Sequence, residues 1–247
     1  MLADLLRLYK SGLVNKGAPA CLFPETCIFN ESWLLRAALM MWKANGSRSK
    51  LGFLPFPDDA KFYSEGQLYT PFKARFRGDR QAESHTHIDG IVGHFSIAGT
   101  KSGIALEHDF KYIAAFEAKM YSPLANGTAN APTYDQVSRT AACLINSVLR
   151  VRQADGYAAH LVILYPEDNR RIDASQHKAH IEEQIATRMQ AYLEGGDPSE
   201  SIKQFVGGWR DALQKLRIWF LRWEEVLAEI GDDDLSQFYT MCKKFSR

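Results

Sequence analysis

The run Tyr157–Tyr165, YAAHLVILY, is nearly unbroken by polar side chains and stops at Pro166. A strand written this way is covered on both faces, so it belongs inside a sheet with a layer packed on each side. A second apolar run, Ile113–Met120 (IAAFEAKM), carries Glu117 and Lys119 two residues apart. Strand alternation would send both side chains out of one face. A carboxylate and an ammonium in such a setting are either a satisfied ion pair or a site.

The elements around these runs indicate their connectivity. Helical spacing predicts an N-terminal helix with Leu2, Leu5, Leu6 and Tyr9 on one face, then a Gly- and Pro-punctuated connector. A second helix starts near Asn30 and runs as ESWLLRAALMMWKA to a stop at Asn45 and Gly46. Glu31 shares its stripe with Leu34, Leu35, Ala38 and Trp42, so this acid is either a first-turn residue favoured by the helix dipole or a carboxylate offered to a site. Residues 45–61 read as a loop containing Arg48 and Lys50. From Gln67 to Phe76 the pattern is strand-like, with Phe72, Ala74 and Phe76 alternating against Lys73, Arg75 and Arg77. Those cations suit phosphate contacts or a solvated edge strand.

His85–Ile97 reads as the next strand, in which Asp89 interrupts an apolar run and needs a cation, a metal or hydrogen-bond donors. Gly99 and Gly103 bracket a turn, and Ile104–Leu106 forms a short return before the Glu117 run. A helix over Thr133–Leu149 follows, with Thr133 and Gln136 at capping-box spacing and Gln136, Thr140 and Cys143 on one stripe. His160 is read as a core histidine with a satisfied partner. Beyond Pro166 the chain reads as helical: Ser175–Leu193, then one long helix from Ile202 to Ile230 with a heptad seam, then a short helix after Asp232. The seam suits a partner helix within the chain or, as a homodimer contact, in a second subunit.

With 247 residues and 46% of them hydrophobic, the chain has material for one elaborated domain with a helical appendage. The expected divisions are an N-terminal helix and connector (1–29), an α/β core with a mixed central sheet (30–170) and a C-terminal helical extension packed on it (171–247). A net charge of +1 gives no global argument for a polyanionic partner, so any nucleic-acid surface must come from local clustering. Cys21, Cys27, Cys143 and Cys242 lack paired metal-site spacing and read as buried thiols, and the pair His177 and His180 lacks an acidic companion. The N-terminal run lacks the features of a signal peptide and no stretch is long and apolar enough for a membrane helix, so the expectation is a soluble, cytoplasmic protein without a membrane partner.

Glu31 on a helix, Asp89 on a strand, Glu117-Ala118-Lys119 on another and Gln136 on the helix after it form a pattern. Over residues 30–166 it resembles the PD-(D/E)XK nuclease superfamily, with its restriction-endonuclease-like αβββαβ core. The resemblance implies a metal-dependent hydrolase of phosphodiester bonds, most of all in DNA. Asp89 and Glu117 would ligate Mg²⁺, with Mn²⁺ as a substitute, and the carbonyl of Ala118 would be a further ligand. Lys119 would stand beside the attacking water. Glu31 resembles the helix-borne acid of many members, and Gln136 the helix glutamine of the branch related to RecB-type nucleases. Lys73, Arg75, Arg77, Arg48 and Lys50 would be nucleic-acid contacts. Ile88 stands where the family name has proline, and Thr140 where the Gln-x-x-x-Tyr signature has tyrosine.

Two other readings accompany this one. The first is a nuclease-like scaffold without activity, serving as a DNA-binding or assembly subunit. The second is a zinc metallohydrolase: His85, His87 and Asp89 form H-x-H-x-D, which resembles the start of the metallo-β-lactamase motif, although Gly90 stands where that motif has another histidine.

Overall fold

A computed structural model of the chain describes residues 2–10, 25–44, 56–98, 103–124, 127, 131–132, 134–151, 156–172, 174, 177–198 and 200–246. Three helices come first, α1 (Leu2–Lys10), α2 (Glu25–Ile28) and α3 (Glu31–Ala44). They are followed by β1 (Lys61–Tyr69), β2 (His85–Gly93), β3 (Phe95–Ala98), β4 (Gly103–Leu106) and β5 (Tyr112–Ala118). Then come α4 (Gln136–Arg150), β6 (Ala158–Tyr165), α5 (His177–Glu194), α6 (Glu200–Lys215), β7 (Arg217–Arg222), α7 (Trp223–Ile230) and α8 (Asp233–Phe245).

The strands form one mixed seven-stranded sheet in the order β3-β4-β1-β2-β5-β6-β7. β2 runs antiparallel to both β1 and β5, whereas β5, β6 and β7 are mutually parallel. The parallel steps need crossovers, which α4 and the α5–α6 pair provide. Every residue of β5 is buried, as the apolar run requires of a strand covered on both faces. Ile113 and Ala115 enter a core shared with α4, α5 and α6, while Ala114, Phe116 and Ala118 enter one shared with α1, α3, α7 and α8. The molecule is thus an α/β protein with helices on both faces of the sheet. Among the described residues no helix is long and apolar enough to cross a membrane.

Several elements depart from the sequence expectation. The strand expected at Gln67–Phe76 lies earlier, at β1, because Pro71 cannot donate to a ladder; residues 70–84 are turn and coil. The single strand expected over His85–Ile97 breaks at Gly93, whose φ is +148°. A Cβ there would stand 2.3 Å from the Tyr112 carbonyl oxygen, so only glycine lets the chain turn into the β3–β4 hairpin.

The long C-terminal helix is the largest correction. Its seam is divided among α6, the edge strand β7 and α7, so the extension is not wholly helical and contributes the seventh strand. Ile202, Trp209, Leu213 and Leu216 pack in the α4-side core, but Trp223, Leu227 and Ile230 pack in the α3-side core. Each segment buries an apolar residue every few positions, and the even spacing hides a crossing from one layer to the other. Val206 of the same seam is 39% exposed.

Cys143 and Cys242 are buried thiols as expected, whereas Cys27 is exposed and Cys21 lies outside the described residues. His160 is buried and accepts from the Trp219 indole at 2.9 Å; burial, followed by the charge of Arg217, holds its pKa down at about 4.

Candidate active site

The site forms where two strands change phase together. In regular alternation Ile88 and Ile91 would face opposite layers, as would Tyr63 and Leu68, yet all four pack in the α4-side core. The rungs Ser64↔Gly90 and Gly66↔Ile88 remain paired on either side, so the irregularity is confined to Glu65 and Asp89. Glu65 takes it up in a left-handed conformation at φ +57°, costly for a residue with a side chain. Helix α3 packs tightly here: a Cβ on Gly90 would stand 3.0 Å from Leu39 and 3.1 Å from Leu35.

The phase change sets Asp89 against β5. The β2–β5 ladder extends to Gly90↔Phe116, and immediately beyond it Asp89 Oδ2 accepts from the Ala118 backbone N–H at 2.7 Å. A side-chain carboxylate thereby replaces a ladder acceptor, which meets the need for a donor that an acid in an apolar strand creates.

Glu117 projects from β5 toward α4 and is wholly buried. Gln136 Nε2 donates to its Oε2 at 2.7 Å and Thr140 Oγ1 to its Oε1 at 2.8 Å. The capping-box expectation for Gln136 is therefore replaced. Asp135 is the N-cap of α4, accepting from Ser138 N, and Gln136 is the first helical residue, its amide turned to Glu117. Thr133 lies outside the described residues.

Burial and the neighbouring Asp89 charge push the Glu117 carboxyl up to about 8, against the pull of Lys119 and the Thr140 hydroxyl. Asp89 is also raised, first by burial and then by Glu65 and Glu31, while the Ala118 N–H and Lys119 act the other way. Lys119 follows β5 directly, its backbone N–H donating to Leu164 O at 2.8 Å, and its charge acts on both acids. Glu31 opens α3, close enough to act on Asp89. Asp89, Glu117, Lys119, Glu31 and Gln136 are thus brought to one region, and Ala118 enters it through its N–H. Two members escaped the sequence reading. Thr140 was signalled by its position one turn beyond Gln136, and Glu65 left no signal, because register alone sets it opposite Asp89.

The basic residues behave differently. Arg75 is buried in a two-pronged ion pair with Asp79 at 2.8 and 2.9 Å, and it also donates to Tyr192 O at 2.6 Å and lies over the Tyr192 ring. It is a strut between the 70–84 segment and α5, not a phosphate contact, and it holds the Asp79 carboxyl well below the usual range. Lys73 lies in the same coil, its carbonyl accepting from the Tyr192 hydroxyl, and Arg77 is exposed. The expected row of three cations on one strand face does not exist. Arg48 and Lys50 lie outside the described residues.

Asp89 also leaves the expected histidine row, because the phase change separates its side chain from the alternation that would join it to His85 and His87. The two rings instead meet each other, Nε2 to Nε2 at 3.2 Å. Among the described residues no three His, Cys, Asp or Glu side chains gather into a ready-made metal cage. Structural zinc asks for such closure, and catalytic zinc for three protein ligands. Mg²⁺ is held by one or two carboxylates and keeps its waters, so the Asp89–Glu117 pair fits a hard oxygen-seeking cation.

No family model, no curated protein and no solved structure matches this chain.

Proposed function

We propose that the protein is a metal-dependent phosphodiesterase acting on DNA, built on the PD-(D/E)XK plan. The observation that carries this reading is the buried Glu117, gripped by Gln136 and Thr140, beside Asp89 on the adjacent strand, with Lys119 two residues further on. The order α3, β1, β2, β5, α4, β6, with β3 and β4 as an inserted hairpin, supports the αβββαβ core that the resemblance implies. Asp89 is raised by burial and by Glu65 and Glu31, and Glu117 by burial and by Asp89; crowding buried acids in this way is costly, and a cation relieves it.

In this reading Asp89 and Glu117 hold the cation, with Glu31 as the further acid. Asp89 offers Oδ1, since Oδ2 is engaged by the Ala118 N–H. Glu117 keeps unused lone pairs on both oxygens, because each accepts one side-chain hydrogen bond. Bound Mg²⁺ supplies a Lewis acid for the phosphoryl oxygens and lowers the pKa of an attacking water. Lys119 orients that water or neutralises charge growing on the phosphate. Gln136 and Thr140 fix the Glu117 carboxylate in place.

The test is cleavage of linear, circular, single-stranded and duplex DNA with Mg²⁺ or Mn²⁺. Lys119→Ala and Asp89→Asn should each lower the rate by about 100-fold or more while melting stays near the parent's. Asparagine is chosen because its carbonyl still accepts from Ala118. Equal activity in variants and parent, or a parent that cleaves none of the substrates, would sink the enzyme reading; binding without cleavage would favour the inactive DNA-binding subunit.

A further inference from the structure

A cleft of about 700 Å³ lies at the end of the sheet from which Lys119 emerges, lined by Tyr121, Ser122, Asp168, Asn169, Arg170 and Arg171, with Ser246, the C-cap of α8, at its edge. One wall is the chain leaving β5 and the other is the turn leaving β6. Asn169 joins the walls: it is 4% exposed, and its amide donates to Met120 O at 2.8 Å and Ser122 O at 3.5 Å. Asn169 Oδ1 accepts from Arg171 N at 3.0 Å, and an Arg171 guanidinium nitrogen donates to Tyr121 O at 3.3 Å. Arg171 is therefore tied to both walls, with Arg170 next to it on the same turn, and both side chains are exposed.

Charge in this cleft is unevenly compensated. Asp168 is paired with Lys243 at 2.9 Å and receives the Tyr121 hydroxyl, while Glu167 is paired with Arg222 at 2.9 Å. Among the described residues neither Arg170 nor Arg171 has a carboxylate partner. Among the described residues the acids are paired within the protein, while Arg170 and the remaining donors of Arg171 meet no carboxylate and suit an outside anion. Tyr121 lies two residues beyond Lys119, in the bend that follows β5, and its carbonyl accepts from Arg171, so the arginine pair stands at the same end of the sheet as the site.

Resting on the phosphodiesterase reading, we infer that this cleft seats the DNA strand next to the bond being cut, with Arg170 and Arg171 gripping the flanking phosphates. Guanidinium groups pair with phosphate oxygens in a fork and are favoured wherever phosphate is recognised. The cleft supplies the substrate grip that Arg75 cannot.

The experiment measures binding of fluorescently labelled single-stranded and duplex DNA by anisotropy, across a salt series and with EDTA present. The proteins are the parent, the Arg170→Ala/Arg171→Ala double variant, and Arg150→Ala, which alters an exposed arginine at the far end of α4. The double variant should bind about tenfold more weakly, and its log–log salt slope should be shallower by roughly 1.4 for single strands or 1.8 for duplex. Arg150→Ala should match the parent. Cleavage by the double variant should fall at low DNA concentration and recover at saturation. An unchanged affinity and slope in a double variant that melts like the parent would overturn the cleft assignment, and so would an equal loss in Arg150→Ala. Cleavage by the parent is scored separately: a parent that cleaves while the double variant binds normally refutes the cleft alone, whereas a parent that neither binds nor cleaves refutes the phosphodiesterase reading with it.

Discussion

Replacing Glu117 by glutamine should make the metal-free protein more stable at pH 8 while removing its activity. A carboxyl raised from 4.5 to about 8 in the folded state holds a proton that the unfolded chain has released. Between those values the native state binds more protons, so stability is fully present below about pH 4.5 and is lost as pH rises toward 8. At pH 8 the loss from this one group is on the order of 4 kcal/mol, from 1.36 kcal/mol per pH unit. For a chain of this size that is a melting shift of roughly 8–16 °C. The glutamine variant carries no such proton. Its amide still meets both partners if the Gln136 amide turns over or the Thr140 hydroxyl rotates to accept from the new NH2. Thermal melts in EDTA at intervals from pH 5 to 8 should show a parent-minus-variant difference that grows steadily against the parent. Adding Mg²⁺ at pH 8 should raise the parent's melting temperature and leave the variant's unchanged, because a ligand stabilises only the state that binds it. A pH-independent difference would refute the claim that a charge-averse carboxyl sits there, and equal Mg²⁺ stabilisation of both proteins would refute its role as ligand.

The remaining predictions concern the scaffold. Arg75→Ala should destabilise the fold by about 3 kcal/mol or more, read by urea denaturation, since it strands the buried Asp79 carboxylate; the salt slope of DNA binding should not change. Gly93→Ala should cost at least about 2 kcal/mol in the same assay, because the added methyl collides with the Tyr112 carbonyl oxygen at a backbone angle alanine avoids. A variant as stable as the parent would show that the β2–β3 corner relaxes freely.

What the sequence disclosed and concealed follows from the range of the forces involved. β5 and β6 were legible because complete burial leaves an unbroken apolar run, and α4 because one face of it is apolar. The acids at 89 and 117 stood out for the same reason, as charges where the pattern called for hydrocarbon. Gln136 was ambiguous because one cap position separates a residue that serves its own helix from one free to reach Glu117, and Asp135 decided it. Glu65 was invisible: its role comes from register with β2 and a left-handed backbone, neither of which has a local signature in a glutamate. Arg75 was misjudged because an alternating cation reads the same whether it meets solvent or a buried aspartate four residues on. The β7 segment hid inside a helical period that its flanking helices maintain on opposite layers.

That crossing also bears on how the protein is made. The α3-side core is assembled from residues at the two ends of the described chain: Leu2, Leu6 and α3 on one side, α7 and α8 on the other, meeting over Ala114, Phe116, Val162 and Leu164. The α4-side core draws mainly on residues between 63 and 220. During synthesis the α4-side layer can close first, and the helix bearing Glu31 gains its full packing only after α8 has emerged. Until then the candidate acids stand at the rim of a half-covered sheet, so a helix about two hundred positions beyond Glu31 is the one that completes the setting of the candidate site.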